Sequence, residues 1–341
     1  MTIPRNPTLE DVARVADVST ATISRSINEP HKVAPATRLK IEKVIKELGF
    51  TPNFGGKVLA TKRSNTVGAI IPTMNNSMFA SGLQAFQNAL ATAGMFTLIS
   101  SSGYDSDHEL DQIRSLIAHG ADGLLLIGAN RPKETTDFLN LRNIPYVISW
   151  FYKTDETRLY AGFDNQKSAF DITMKVLEFG HRRIDMIVGS TTGNDRASAR
   201  IQGVKEAISK FGQGAKLRNV IETEYSLEQG GNAMEFLMNT PDPPTAVVCG
   251  NDVLAGGAIL RAKRMGLNVP NNVSVTGFDD IDLATAINPT LTTVRVPQDE
   301  MGYQAAMLLM KLISTGVRPA SVEFETKVIF RESLSELKKE L

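Results

Sequence analysis

Apolar positions in the first fifty residues recur at helical spacing, whereas from Thr66 onward they gather into short runs separated by amphipathic stretches. The segment TLEDVARVADVSTATISRSIN, residues 8–28, predicts two short helices joined by a tight turn. Val12, Val15, Val18, Ile23 and Ile27 supply an apolar face, and Ala13 is the small residue that two crossing helices need. Asp17 falls in the turn, where Asp tolerates a left-handed backbone, and Ser19 is placed to cap the second helix. A third helix is predicted from Pro35 to Leu48, with Ile41, Val44, Ile45 and Leu48 along one stripe.

The remainder alternates strand and helix. Strands are predicted at 66–72, 96–100, 123–128 and 145–149, with helices at 79–93, 107–119 and 133–141 between them. A second series follows, with helices at 165–179, 198–211, 228–238 and 253–264. Its strands are at 184–189, near Val220, at 246–250 and at 273–278. Nearly continuous apolar strands alternating with helices imply parallel sheets covered on both faces. Two such series of similar size imply two lobes with a cleft between them, and ligands in such folds bind at the carboxyl ends of strands.

Charge divides the chain in the same place. The net charge is zero, with 37 Lys+Arg against 37 Asp+Glu, yet residues 1–63 hold 11 basic against 6 acidic side chains. A basic head therefore precedes an acidic body, as phosphate binding by the head requires. A lone cysteine, Cys249, rules out an internal disulfide and fits a reducing compartment. The opening MTIPRNPTLED lacks the apolar run of a signal peptide, and no stretch reaches the ~20 apolar residues of a membrane span, so a cytoplasmic location is expected.

The second short helix carries Thr20, Ala21, Thr22, Ser24 and Arg25 away from its apolar face. Small polar groups and one guanidinium suit the edges of base pairs in a major groove, and the bland alternative is a helical hairpin with a polar face. Residues 51–66, TPNFGGKVLATKRSNT, form a glycine-bearing connection in which Asn53 would start a short helix through Lys57, Val58 and Leu59. Gly55 and Gly56 weaken that helix by about 1 kcal/mol each relative to Ala. The segment reads either as a plain linker or as a hinge that orders against DNA.

Nothing in the chain points to catalysis. No glycine fingerprint follows a strand, no phosphate loop, HExxH or GxSxG is present, and FGQGAK has the wrong glycine spacing for a phosphate loop. His31, His108, His119 and His181 are scattered without ligand spacing, and Cys249 lies in an apolar strand. Neither a metal nor a cofactor is expected. A transport-type sugar-binding protein is the competing reading, and the basic head argues against it.

Across Thr8 to about Ser333 the chain resembles the LacI/GalR family of transcriptional regulators. The resemblance rests on TLEDVARVADVSTATISRSIN, VAPATRLKIEKVIKELGFTPN, TVGAIIP, ADGLLLIG, VVCGNDVLAGGAILRAKRMGLNVPNNVSVTGFDD and PTLTTVRVP, in that order. It implies a small all-α helix-turn-helix head over residues 1–50 and a hinge segment over 51–65. Residues 66–341 become a two-lobed α/β core like periplasmic binding proteins, for effector binding and dimerisation. It also implies a homodimeric repressor on pseudo-palindromic double-stranded operator DNA, controlled by a small metabolite. By motif position Thr20, Ala21 and Arg25 would contact base edges, while Ser19, Thr22, Ser24 and Asn28 would position phosphates or cap. Leu59 would be the minor-groove wedge beside Lys57. Gly55 and Gly56 depart from the helix formers usual at those places.

For the effector, Arg200 in SARIQG matches the family arginine that reaches a ligand oxygen. Asp279 in GFDD and Asn251 in CGND follow apolar strands at the cleft, and Tyr225 and Phe79 are candidates to face a ligand ring. Asp279 as a helix cap and Arg200 in a core ion pair are the structural alternatives. Trp150, the single tryptophan, is either a stacking floor or lobe packing. A sugar or sugar acid is the expected ligand. The tail leucines 334, 337 and 341 have helical spacing too short for a tetramerising coiled coil, so a dimer is expected.

Overall fold

The computed structural model describes residues 5–51, 63–75, 77–154 and 157–337. The chain forms two compact units that divide between Ser64 and Asn65. The proposed hinge residues 52–62, Lys57 and Leu59 included, lie outside the described residues.

The head is three helices, α1 Leu9–Ala16, α2 Thr20–Asn28 and α3 Pro35–Leu48. Thr8 and Asp11 exchange hydrogen bonds in a capping box at the start of α1. Asp17, with φ of 49°, stops it in the left-handed region. Ser19 then accepts the Thr22 amide at 3.1 Å and starts α2. Pro35 opens α3, where a missing N–H is harmless, and Gly49 closes it. Val12, Ala13, Ala16, Ile23, Ile41, Val44 and Phe50 are buried together, with Val18 and Ile27 at the margin. Val15 does not belong to this core and is 48% exposed. At 3.6 residues per turn it sits about 110° from the centre of the stripe formed by Leu9, Val12, Ala13 and Ala16.

In the second unit, lobe 1 holds an all-parallel six-stranded sheet. Its order is β11 (Val322–Glu323), β5 (Tyr160–Gly162), β4 (Tyr146–Ser149), β3 (Gly123–Ile127), β1 (Thr66–Ile71), β2 (Phe96–Ser101). Helices α4 (Ala80–Thr92), α5 (Ser106–Ala118), α6 (Lys133–Leu141) and α12 (Gln298–Thr315) cover it. Lobe 2 holds a parallel sheet ordered β7 (Lys216–Thr223), β6 (Arg183–Gly189), β8 (Ala246–Cys249), β9 (Ser274–Thr276). Its helices are α7 (Asn165–Glu178), α8 (Asp195–Phe211), α9 (Leu227–Met238), α10 (Asp252–Arg264) and the short α11 (Leu283–Ala286). An antiparallel ladder of β10 (Thr293–Arg295) and β12 (Lys327–Ile329) completes it. Cys249 is buried within β8, where desolvation pushes its thiol up, as a core residue rather than a nucleophile.

The chain crosses between lobes three times, near residues 163, 296 and 325. The sequence pattern had not marked α12, which returns to lobe 1 from lobe 2 and packs on α4. Where the two helices meet, a Cβ on Gly302 would strike the backbone of Gly82, so the approach needs both to lack one. The tail through Leu337 is not helical: Leu334 is buried and Leu337 donates its amide to Phe179 O at 2.8 Å.

Candidate DNA-reading face and inter-lobe site

On α2, Thr20, Ala21, Ser24, Arg25 and Asn28 are exposed and Thr22 is half-buried. Their polar groups are held locally. The Thr22 and Ser19 hydroxyls pair at 2.8 Å, and Asn28 donates to Ser24 O at 2.9 Å. Ser19, Thr22 and Asn28 thus spend side-chain groups on the helix itself, leaving Thr20, Ala21 and Arg25 outward on one face.

The core site is built around Asn165, the first residue of α7 just after a lobe crossover. Its Nδ2 donates to Trp150 O of lobe 1 at 3.0 Å, while its Oδ1 accepts from Arg200 Nε of lobe 2 at 3.0 Å. Arg200 also donates to Gly250 O at 2.5 Å, stacks 3.7 Å over the Phe278 ring, and approaches Asp279 Oδ1 at 3.6 Å. Asp279 is held by its backbone, donating to Val294 O at 2.8 Å and accepting from Gln298 at 3.3 Å. Its φ of 106° is a costly conformation for a side chain with a Cβ. Burial raises its carboxyl to about 7, against the lowering pull of Arg200 and Arg196. Desolvation wins because neither guanidinium hydrogen-bonds it closely.

Arg200, Asp279 and Asn251 are each at least nine-tenths buried, and each has an atom without a hydrogen bond: Arg200 Nη2 and Asp279 Oδ1, which face each other as a buried ion pair at 3.6 Å, and Asn251 Nδ2. Trp150 Nε1 is in the same condition. Asn251 Oδ1 caps α10 through the Leu254 amide at 2.9 Å, which leaves its amide nitrogen for something else. Such buried orphans carry a desolvation penalty of about 1–3 kcal/mol each unless a ligand or water meets them.

Phe79 and Trp150 meet edge to face at 5.5 Å, and both rings are fully buried, Trp150 against Gly82 of α4. Trp150 therefore packs between Phe79 and Gly82, and its face is no open stacking floor. Tyr225 is set apart from these two: it takes a hydrogen bond from Asn194 at 3.2 Å and faces Tyr104 of lobe 1 at 6.0 Å. Tyr104, Asn165, Asn194 and Arg196 escaped the sequence reading. Arg196 lies one helical turn before Arg200, which was a usable signal. Tyr104, a non-glycine residue at φ of 64°, gave none. Tyr104 and Arg196 line a space of only about 30 Å³, whereas Asp279 and Gln298 line a groove of about 680 Å³ beside α4 and α11.

Comparison with known proteins identifies the family of both parts of the chain. Residues 8–53 match the profile of bacterial regulatory proteins of the lacI family, and residues 174–334 match a periplasmic binding protein-like domain. The HTH-type transcriptional repressor CytR of Escherichia coli K12 is 34% identical over 304 residues, 89% of either chain. The chain belongs to the LacI family. It is a DNA-binding regulator of transcription and not an enzyme. The structure of a CelR–cellobiose complex is similar at 29% identity and a TM-score of 0.69, covering 96% of this chain and 99% of that one. A Lac repressor dimer bound to operator and an anti-inducer shares the fold at a TM-score of 0.83 and 21% identity, over 97% and 100% of the two chains. Among the described residues no helix is long and apolar enough to cross a membrane, and no cluster of three metal-ligating side chains occurs.

Proposed function

We propose that this regulator is a repressor, working as a cytoplasmic homodimer on a pseudo-palindromic operator, whose DNA affinity follows a sugar or sugar acid held between the lobes. The observation that carries the ligand part is the set of buried polar atoms without a hydrogen bond on Arg200, Asp279 and Asn251. A carboxylate, a guanidinium fork and an amide suit the alternating donors and acceptors of a polyol or of its acid. The cellobiose bound by CelR supports the sugar class. Dimerisation is supported by β2, a sheet edge that leaves Phe96 68% exposed beside Leu98 and Ile99, and by the dimer in the Lac repressor structure.

In the head, Thr20, Ala21 and Arg25 choose the base sequence, with Ser19, Thr22, Ser24 and Asn28 as capping or phosphate-positioning groups and Leu59, beside Lys57, as the wedge. In the core, Arg200, Asp279 and Asn251 hold the ligand's polar groups, while Phe79, Trp150 and Tyr225 shape the apolar side. Ligand and operator need only about 1.4–2.8 kcal/mol of coupling to change DNA affinity 10–100-fold. A thermal-shift screen of sugars, sugar acids and nucleobases, followed by operator titration with each compound that raises the melting temperature, tests the reading. A sugar that stabilises the wild type but not Arg200→Ala, and that alters operator affinity, is the expected result. Stabilisation by nucleobases alone would replace the ligand class, and no change in operator affinity with any stabilising compound would refute effector control.

A further inference from the structure

The loop after β3 is braced on lobe 1 from two sides. Arg131 donates to Gly128 O at 2.5 Å and to Glu109 at 2.9 Å, and Arg158 donates to Ala129 O at 2.7 Å. Across the cleft, Asp195 begins α8 of lobe 2. Its Oδ2 accepts the Ala129 amide at 2.6 Å and the Asn130 amide at 3.0 Å, while its Oδ1 pairs with Arg196 at 3.1 Å. Gly128, at φ of 75°, makes room for this: a Cβ there would collide with Arg196 Nη1 and Asp195 Oδ1.

We propose that Asp195 is an inter-lobe latch, a positioning residue whose carboxylate grips the stiffened 129–130 backbone and sets how readily the cleft opens. The inference rests on the cleft being the effector site only for its regulatory meaning; the latch itself is a property of the core without ligand. One carboxylate oxygen shared by two amides is a charge-assisted contact, stronger than neutral pairs. The lobes leave a space of only about 30 Å³ beside Arg196, so a metabolite fills that part of the cleft only after this contact lets go.

The test uses the full chain without ligand and reads two local signals. Hydrogen–deuterium exchange reports the 129–130 amides, and acrylamide quenching reports Trp150, the single tryptophan, buried where α4 and the lobe crossover meet. Asp195→Ala should speed exchange at those amides by about 10-fold or more and raise Trp150 quenching, with the strands of lobe 1 still protected. Asp195→Asn, which retains an acceptor but not the Arg196 pair, should fall between. Gly128→Ala, acting from the opposite lobe, should reproduce the Asp195→Ala pattern. Wild-type exchange at both amides in Asp195→Ala, or acceleration spread evenly through lobe 1, would overturn the latch. A loosened latch in a protein that no screened metabolite stabilises keeps the latch and overturns the effector reading instead.

Discussion

In the head, the polar side chains that support the reading face find partners three or four positions away: Ser19 with Thr22, Asn28 with Ser24, Thr8 with Asp11. In the core, Arg200 reaches Asn165 and Gly250, 35 and 50 positions away, and Asp195 reaches Ala129, 66 positions away. The head displays its chemistry to solvent on a small scaffold stapled by caps. The core hides its chemistry and leaves atoms unsatisfied. An exposed face needs its partner only for function, whereas a buried network is a structural debt that a ligand can settle. The two regions should therefore respond very differently to the loss of one side chain.

Arg200→Ala should give the largest effect. It strips the Asn165, Gly250 and Asp279 side of the site and leaves a buried carboxylate without its nearest cation, a loss of about 3–5 kcal/mol in core stability. Effector response should vanish with it. A core melting transition within about 1 kcal/mol of wild type would show that the network is not structural.

Asp279 sharpens the same side through pH. Its carboxyl is raised to about 7 from 3.8, so the folded core holds a proton that the unfolded chain has released between about pH 4 and 7. Stability from this group is present at low pH and falls as pH rises through that window. Asp279→Asn should flatten that fall in denaturant titrations from pH 4.5 to 7.5. A wild-type slope in the variant would assign the pH dependence elsewhere.

Arg25→Ala belongs to the other side of the comparison. Operator affinity should drop by about 1–3 kcal/mol, with relaxed preference at one base pair per half-site, and the melting of the protein should not move. Equal weakening on every sequence would make Arg25 a phosphate contact. The smallest effect is expected from Ser19→Ala, about 1 kcal/mol of head stability from a lost cap, with the core unaffected. Circular dichroism melts that separate head from core would detect it.

The same contrast explains what the sequence could disclose. Caps, turns and helical stripes are local, so Asp17, Ser19 and Pro35 were legible. The apolar runs located β1 to β4 and β6 to β9, while β5, β10, β11 and β12, of two or three residues each, make no such run. Val15 misled because apolar character alone does not fix the angle around a helix. The helix α12 went unread although Met301, Ala305, Leu308 and Leu309 form a stripe at helical spacing; what the stripe could not disclose is that it faces lobe 1. Arg200, Asp279 and Asn251 could be placed at strand ends and in a motif. Asn165, Tyr104 and Asp195 act through contacts that span lobes, and no spacing along the chain announces such pairs.

The return of α12 to the first lobe has a consequence for biosynthesis. Helix α4, whose Gly82 meets Gly302, waits for cover from a helix encoded more than two hundred codons later. The ribosome delivers the helices and the four-stranded sheet of lobe 2 before lobe 1 can close its own sheet with β11, so the nascent protein carries an unfinished first lobe until then.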